Sequence, residues 1–196
     1  MRTLFRTMAV LLLSFESTFI LFSCTPKPET LVEAYAEASN NHDVKKIVSL
    51  HAEDATFEVV GSFVLKGKDN IRKVAEYDSV LNIHMTIRNI VTRSDTVICD
   101  LSEINDWLRT AGIGEAHYSV RFELRNGFIK FLHAEATQKT EQAFNAVLKP
   151  LIAWALKERP QQLAEMMPAG EFVYNAENAK KSLSLLREWQ EVISLE

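Results

Sequence analysis

The stretch from Asp43 to Gly67 constrains the fold most, because its pattern changes from helical to extended within one short segment. Apolar residues first recur at helical spacing, and Ala55 to Val60 is then rich in β-branched and aromatic residues. The helical positions are Val44, Ile47, Val48 and His51, with Asp43 as the predicted cap, Glu53-Asp54 as the turn and 61–65 as a returning hairpin. The stretch therefore predicts a helix, a turn, a strand and a short hairpin, in that order.

The segments on either side predict two further helices followed by four strands. One helix is expected from about Glu29 to Asn40 and another from about Asp69. Alternation with period two then predicts strands at His84 to Val91, Thr96 to Leu108, Glu115 to Arg125 and Phe128 to Thr137, with a hairpin turn at Asn126-Gly127. This order predicts an α+β fold, in which an antiparallel sheet packs on three N-terminal helices.

The last segment, Gln138 to Glu196, lies beyond these strands and predicts C-terminal helices. The expected elements are an amphipathic helix over 140–157, a short segment between Pro160 and Pro168, and a final helix over 177–193. Pro150 should kink or break the first of them. Because these helices lack enough apolar faces for a core of their own, we expect an extension packed on the domain formed by residues 29–137. The alternative is a dimerisation arm, which would make the protein a homodimer.

Residues 1–23 have the pattern of an export leader, with a basic start, an apolar stretch and a small residue before Cys24. The sequence Leu21-Phe22-Ser23-Cys24 resembles a bacterial lipobox, which implies cleavage before Cys24 and attachment of lipid to its sulfur. Residues 24–28 would then form a tether, and the protein would be exported and anchored to a membrane of the cell envelope. The alternatives are a leader without lipidation, an uncleaved membrane anchor, or a wrongly assigned start codon.

The charge balance and the spacing of reactive residues argue against several classes of function. The formal net charge is −4 and no basic patch occurs, so no nucleic-acid partner is expected. The histidines lack metal-ligand spacing, and neither a glycine-rich phosphate loop nor a Gly-x-Ser-x-Gly motif occurs. We therefore expect no metal and no cofactor. Cys99 lies in an apolar strand pattern and is expected to be a buried small hydrophobe, with a bridge to Cys24 as a minor alternative.

Four short motifs carry a family resemblance over residues 29–137. They are Asn-Asn-His-Asp at 40–43, Leu-His-Ala-Glu-Asp-Ala-Thr-Phe-Glu at 50–58, Lys-Gly-Lys-Asp-Asn-Ile at 66–71 and Arg-Asn-Gly-Phe-Ile-Lys at 125–130. In this order and spacing they resemble the nuclear-transport-factor-2-like superfamily, and its SnoaL-like branch in particular. The resemblance implies a cone-shaped, strongly curved sheet wrapped on helices, with an apolar pocket between. It also implies a range of activities, because such members include isomerases, cyclases, dehydratases, epoxide hydrolases and non-catalytic binding or dimerisation domains.

The resemblance also bears on isomerase chemistry. Isomerase-like members carry a tyrosine on the first helix, an aspartate base after the first strand and an acid on a later strand. The matching positions here are Tyr35 for the tyrosine, Val59 for the base, and His117 or Tyr118 for the later donor. Since valine cannot transfer a proton, the resemblance implies a pocket without ketosteroid-type isomerisation.

The end of the second long strand supplies the most distinctive polar cluster. If the apolar residues before it face inward, Glu103, Asn105 and Trp107 continue the same face. Together with Tyr35 and Tyr118 they are predicted to line a ligand pocket, where burial would raise the pKa of Glu103. A strand end that leaves the core and is solvated is the alternative.

His133 and Glu135 on the last strand are secondary candidates for a dyad in this pocket. They share the parity of Ile129 and Phe131, which makes their face partly apolar. A histidine that is hydrogen-bonded elsewhere or exposed is the alternative.

Three functional hypotheses follow from these patterns. The first is a membrane-tethered domain that binds a small apolar or amphipathic molecule. The second is a cofactor-independent isomerase, cyclase or hydrolase, with Glu103, Tyr35 and His133 or His117 as weak acid–base candidates. The third is a structural module for dimerisation or partner binding.

Overall fold

The computed structural model describes residues 27–194, so residues 1–26, with the predicted leader and Cys24, lie outside the described part. The first half contains α1 (Pro28–Asn40), α2 (Val44–Ser49), β1 (His51–Val59), β2 (Phe63–Lys66), α3 (Lys68–Val80), β3 (His84–Arg93) and β4 (Thr96–Ile104). The second half contains α4 (Asp106–Thr110), β5 (Ala116–Arg125), β6 (Phe128–Ala136), α5 (Gln138–Glu158), α6 (Pro160–Met166), a single 3-10 turn (Pro168–Gly170) and α7 (Ala176–Ile193). Within residues 27–194, no helix is long and apolar enough to cross a membrane.

The six strands form one open sheet in the order β2-β1-β6-β5-β4-β3, which confirms the α+β class. The sheet is mixed, because β1 pairs with β6 in parallel while the other neighbours are antiparallel. The prediction of a wholly antiparallel sheet was therefore wrong at this one junction. The reason is topological, since β1 and β6 are separated by several elements and a long crossover permits parallel pairing.

The opening stretch folds as predicted, except where its helix meets its strand. Asp43 caps α2 by accepting a hydrogen bond from the backbone N–H of Lys46 at 2.9 Å. The helix ends before His51, which is the first residue of β1, so the predicted turn at Glu53-Asp54 is wrong. Between His51 and Thr56 the pairing of β1 with β6 shifts register, so the segment that contains Glu53 and Asp54 is an irregular part of the strand.

The second long strand is shorter than predicted and ends at Ile104. Asn105 stops it, because its side chain accepts a hydrogen bond from the backbone N–H of Leu108 at 2.7 Å and so caps α4. Trp107 consequently lies on a helix rather than on the continued strand.

The main core lies between one face of the sheet and helices α1, α2 and α3. We call this face the inner face, and the space that it encloses with the three helices the interior. Its largest fully buried side chains include Phe122, Ile71, Ile129, His51, Val32, Val97, Val120 and Cys99. Cys99 is 1% exposed and burial raises its pKa to about 11, so the prediction of a buried hydrophobe is confirmed.

The C-terminal helices form a second core on the end of the interior. Their apolar faces pack with Leu81, Trp107, Leu108 and Ala116, and α7 lies against α3 and α4. Of the kink or break predicted at Pro150, the break does not occur, because α5 is helical from Gln138 to Glu158. The broad apolar contact of α5 with its neighbours is sufficient to hold the helix despite the backbone hydrogen bond that proline cannot make.

Candidate functional site

Glu103 is an acidic residue of β4 whose side chain faces the interior. Val97, Cys99 and Leu101 on β4 are buried, and Glu103 continues their alternation as a half-buried residue. Its Oε1 accepts a hydrogen bond from Nδ2 of Asn105 at 2.6 Å. Burial raises the pKa of Glu103 from 4.5 to about 7, and the bond from Asn105 opposes that rise. Asn105 therefore has two roles, since it also caps α4.

Asp78 is a second interior carboxyl group, which was not among the predicted site residues. It lies in the last turn of α3. Just beyond that turn, the carbonyl of Leu81 accepts a hydrogen bond of 2.8 Å from the backbone N–H of Asp106, which follows the end of β4. Asp78 is half-buried. Burial, and then the charge of Glu103, raise the pKa of Asp78 well above its usual value.

A signal for Asp78 was nevertheless present in the sequence. Ile71, Val74, Ala75 and Asp78 recur at the i, i+3, i+4, i+7 spacing of one helix face, and the first three are buried. An aspartate on the apolar face of an amphipathic helix is a buried polar group that requires an explanation.

Tyr35 and Tyr118 complete the polar part of the interior. Tyr35 is 6% exposed, and its ring makes edge-to-face contacts with the rings of His51 and Phe122, each at a centroid distance of 5.7 Å. Tyr118 lies on the inner face of β5, opposite Leu101 of β4. Burial raises the pKa of both phenols, and the negative charges of Asp78 and Glu103 raise them further.

A segment from the C-terminal part packs on two elements that flank this region. We call residues 167–175 the cover. The ring of Tyr174 packs at 4.6 Å from Phe63 on the β1–β2 hairpin and at 5.2 Å from Tyr77 on α3, and Phe172 lies 5.9 Å from Tyr77. The hydroxyl of Tyr174 also shares a hydrogen bond of 3.0 Å with Ser62. The cover thus bridges two elements that flank the interior.

The cover is also anchored to α7. Nδ2 of Asn178 donates to the carbonyl of Val173 at 2.7 Å, and Asn175 caps the helix by accepting from the N–H of Asn178 at 2.8 Å. A displacement of the cover would therefore disturb the first turn of α7.

A small cavity of about 10 Å³ lies between α1, α2, α3 and β1. Its walls are formed by Tyr35, Ser39, Ile47, Phe57, Ile71, Val74, Ala75, Asp78, Ser79 and Ile83, so Glu103 and Tyr118 do not border it. That volume holds about one water molecule, whereas sites for small organic ligands usually measure roughly 300–1,000 Å³. This cavity is therefore too small for such a ligand.

A larger open recess of about 430 Å³ lies at the junction of α5 and α6. Its walls are Glu158, Arg159, Pro160, Gln161, Gln162 and Glu165. Arg159 is already paired with Glu188, and Glu165 with Lys181. Because Pro160 is the only apolar residue among these six, the recess lacks the hydrophobic and aromatic side chains that are typical of small-molecule pockets.

Trp107 is separated from the other predicted pocket residues. It is buried in the second core, where its ring stacks on Phe144 of α5 at a centroid distance of 5.9 Å. The structure therefore brings Tyr35, Glu103, Asn105 and Tyr118 to the interior but directs Trp107 to the C-terminal helices.

His133 lies on the outer face of the sheet, opposite the interior. A register shift between Glu123 and Leu124 in the pairing of β5 with β6 changes the parity of β6, so Leu132 and Ala134 face inward instead. Nδ1 of His133 meets Oε2 of Glu58 at 2.9 Å, and the two side chains are 27% and 30% exposed. The expected shared face with Ile129 is therefore wrong, and His133 is not brought together with Glu103 or Tyr35.

The other histidine candidates do not add to the site. His117 is exposed on the outer face, with Nε2 3.7 Å from Glu115. His51 is 1% exposed; its Nδ1 lies 2.8 Å from the carbonyl of Ile47, and its Nε2 has no partner within residues 27–194. Burial lowers the pKa of His51 from 6.5 to about 4, so its imidazole is neutral at pH 7. In the described part of the chain, no three metal-ligating side chains are grouped to hold an ion.

Comparison with known proteins gives one family and several similar folds. A family model described as a SnoaL-like domain matches residues 32–132, which end before α5. The epoxide hydrolase/cyclase-like enzyme SalBIII, which acts in pyran ring formation in the polyether salinomycin, is 20% identical, with a TM-score of 0.52 over 58% of this chain and 93% of that one. The Mycobacterium tuberculosis protein RV0760c, solved in complex with estradiol-17β-hemisuccinate, is 14% identical, with a TM-score of 0.51 over 58% of this chain and 95% of that one.

A third similar structure is the LEH-like epoxide hydrolase of Mycobacterium tuberculosis, 18% identical with a TM-score of 0.48 over 66% of this chain and 95% of that one. A search of functionally curated proteins gave no match. At these identities the structural likeness establishes the fold alone, and any statement about activity has to come from the side chains of this chain.

Proposed function

Because the chain belongs to the SnoaL-like domain family, we propose that it is a membrane-tethered domain that binds a small apolar or amphipathic molecule in its interior. The observation that supports this proposal is a pair of carboxyl groups, Asp78 and Glu103, set with Tyr35 and Tyr118 in surroundings that are otherwise apolar. A few polar groups in an apolar enclosure are typical of small-molecule sites. Ionisable groups with strongly shifted pKa values also concentrate at such sites.

Binding in the interior is proposed to involve movement of the cover, because the small cavity beside Asp78 measures only about 10 Å³. The cover is held on the hairpin side by the Tyr174–Ser62 hydrogen bond and by aromatic contacts with Phe63 and Tyr77. Each such contact contributes on the order of 1 kcal/mol. A ligand therefore has to offset a few kcal/mol of opening, which lowers its apparent affinity but leaves binding accessible.

The test compares two chemically identical substitutions on opposite faces of the sheet. Glu103→Gln changes the interior, whereas Glu58→Gln removes a carboxylate from the outer face and serves as the control. A panel of fatty acids, sterols, amines and aromatic metabolites is screened by thermal shift with the full-length protein. We expect at least one compound to raise the Tm of the wild type and of Glu58→Gln by several degrees, and that of Glu103→Gln by clearly less.

Two results would contradict the proposal. One is an equal thermal response of all three proteins, which would place binding outside the interior. The other is no response to any compound, which would favour the alternative of a module for partner binding.

The tether is proposed from the lipobox-like sequence at 21–24, with a diacylglyceryl group on Cys24 and a location on a membrane of the cell envelope. Lipid on the cysteine would stabilise membrane association through burial of its acyl chains. Mass spectrometry of the protein from the membrane fraction should show a chain that begins at Cys24 with the added lipid mass. An unmodified thiol at Cys24, or a leader that is still attached, would refute the tether.

A second candidate function is a cofactor-independent acid–base enzyme, and the pKa of Glu103 near 7 is the observation that favours it. A carboxyl group with such a pKa can donate and accept a proton at neutral pH. Compounds that bind are incubated with the protein and examined by mass spectrometry for conversion. We expect Glu103→Gln to abolish any conversion, and turnover that survives this substitution would remove Glu103 as the acid–base group.

A further inference from the structure

The two ends of α1 mark two opposite ends of the domain. At the start of the helix, Oγ1 of Thr92 on β3 donates a hydrogen bond to Oε2 of Glu29 at 3.2 Å. At its C-terminal end, the side chain of Asn40 makes two hydrogen bonds with the backbone of Met85, at 2.9 and 2.7 Å, and Met85 pairs with Glu103 of β4. Helix α1 has 13 residues, so roughly 20 Å separates the two ends. We call the end at the start of α1 the tether end, and the end with Glu103 the far end.

Two turns of the sheet lie at the tether end. One is the β3–β4 turn, which contains Asp95 and follows Thr92 closely, and the other is the β5–β6 turn at residues 126–127. The backbone N–H of Leu124 donates a hydrogen bond to the carbonyl of Asp95 at 2.7 Å and so joins the two turns. Phe128, which begins β6, is 43% exposed. The start of α1, the two turns and Phe128 therefore form one surface.

This surface carries a positively charged group beside its exposed aromatic ring. The carboxylate of Asp54 is shared by Arg125 at 3.0 Å and Lys130 at 2.6 Å, so the three side chains together have one net positive charge. Phe128 pairs with Arg125 across the β5–β6 ladder. Exposed aromatic and basic side chains together are typical of surfaces that lie on a bilayer with anionic lipids.

The cover lies at the far end. The backbone N–H of Asp106, just after β4, donates to the carbonyl of Leu81, just after α3, at 2.8 Å. The last turn of α3 is therefore at the far end, and Tyr77 in that turn packs on Tyr174 of the cover at a centroid distance of 5.2 Å. Glu103 and the cover thus lie away from the start of α1.

The tether that the lipobox-like sequence predicts is short. Only residues 25–27 separate Cys24 from Pro28, where α1 begins. A chain of this length spans at most roughly 14 Å, whereas α1 alone is roughly 20 Å long. Lipid on Cys24 would therefore hold the start of α1 close to the bilayer, within less than the length of that helix.

We propose that the tether end docks on the surface of an anionic bilayer, with Phe128 at the level of the lipid headgroups, and that the far end points away from the membrane. This inference rests on the lipid tether of the proposed function, and it states how the tethered domain is oriented. Because Glu103 and the cover then face the aqueous phase, the interior takes its ligand from that phase rather than directly from the bilayer.

The experiment compares two matched positions in the lipidated protein purified from the membrane fraction. Asp95→Cys at the tether end and Glu171→Cys in the cover each replace an exposed acidic residue and receive the same fluorophore. Cys99 is 1% exposed, so the wild type should remain unlabelled and serves as the blank. The proteins are reconstituted in vesicles of phosphatidylethanolamine and phosphatidylglycerol that contain a lipid with a nitroxide quencher on its headgroup. We expect quenching at position 95 to be at least about threefold stronger than at position 171.

A second comparison tests the contact made by Phe128. Phe128→Ala removes the exposed ring at the tether end, whereas Val64→Ala truncates a side chain that is 57% exposed on β2 and serves as the control. We expect the first substitution to reduce quenching at position 95 by about half and the second to leave it unchanged. Vesicles of phosphatidylcholine alone should also give weaker quenching at this position, because they lack anionic lipid.

Failure of this inference differs from failure of the tether. Lipidated protein with equal quenching at positions 95 and 171, or with stronger quenching at 171, would overturn the orientation and leave the tether in place. Quenching at position 95 that does not change with Phe128→Ala, or in phosphatidylcholine alone, would overturn the docking surface. A Cys24 that carries no lipid would overturn both the tether and the orientation, but not ligand binding in the interior.

Discussion

Replacing Glu103 by glutamine should remove one titration that lowers the free energy of unfolding as pH rises from about 4.5 to 7. Folding places this carboxyl group in an environment that disfavours its charge, and raises its pKa from 4.5 to about 7. In that interval the folded state holds a proton that the unfolded state has lost, so the free energy of unfolding falls as pH rises. Below 4.5 both states are protonated, and above 7 both are ionised.

The size of the effect follows from the two pKa values. A rise from 4.5 to about 7 corresponds to about 3 kcal/mol of unfolding free energy, fully present below pH 4.5 and lost by about pH 7.5. Glutamine has the same shape, accepts the bond from Asn105 through its carbonyl oxygen and does not titrate. The free energy of unfolding of the variant should therefore equal that of the wild type near pH 4.5 and exceed it by up to about 3 kcal/mol at pH 8.

Another interior group titrates in the opposite direction within the same range, so only the difference between the two proteins is informative. The pKa of His51 is lowered from 6.5 to about 4, and its contribution to stability is therefore present above pH 6.5 and lost as pH falls to about 4. This contribution is common to the wild type and the variant, and it cancels when their unfolding free energies are subtracted.

The assay is urea denaturation of the wild type and Glu103→Gln at half-unit steps from pH 4.5 to 8, with Glu58→Gln as the outer-face control. The difference between Glu103→Gln and the wild type should grow by about 3 kcal/mol across the range, while that for Glu58→Gln should show no such growth. Parallel curves for Glu103→Gln and the wild type would refute the argument that this carboxyl group is buried without a cationic partner.

Three further predictions concern the packing and bonds around the interior. Phe122→Ala should cost about 3–5 kcal/mol in denaturant, because the ring is fully buried against Tyr35; a loss below 1 kcal/mol would contradict the packing. Asn105→Ala should cost about 1 kcal/mol through the lost cap and raise the pKa of Glu103 further, as measured by NMR titration; an unchanged pKa would contradict the bond. A double-mutant cycle of Tyr174→Phe and Ser62→Ala should give a coupling of about 0.5–1.5 kcal/mol, and a value of zero would show that the bond does not hold the cover.

The elements that were predicted well are those whose signals are local. Asp43 accepts a hydrogen bond three residues along the chain, and Asn126-Gly127 takes the positive φ angles that a tight hairpin requires, 54° and 77°. Glu103 was also predicted to face inward, because the alternation from Val97 fixes its side within one regular strand.

The wrong predictions concern residues whose local sequence is compatible with two placements. In each case the pairing with a strand distant in sequence determines which placement is adopted. His51 fits the helical spacing of α2, but pairing with Ile129 makes it the start of β1. His133 was assigned to the inner face because alternation was assumed to continue through β6, and the irregular pairing with β5 reverses it. A bulge shifts parity by one residue and leaves little trace in the hydrophobic pattern.

The chain by itself determined the α+β class, the limits of most helices and strands, and the apolar interior with Glu103 at its edge. These follow from periodicity and from caps and turns that act over a few residues. The tertiary structure alone decided that the charge of Glu103 raises the pKa of Asp78, that Trp107 packs in the second core, and that Tyr174 packs on Phe63 and Tyr77 from a segment far along the chain. Such contacts join residues distant in sequence, and they depend on how whole elements dock, which no local pattern encodes.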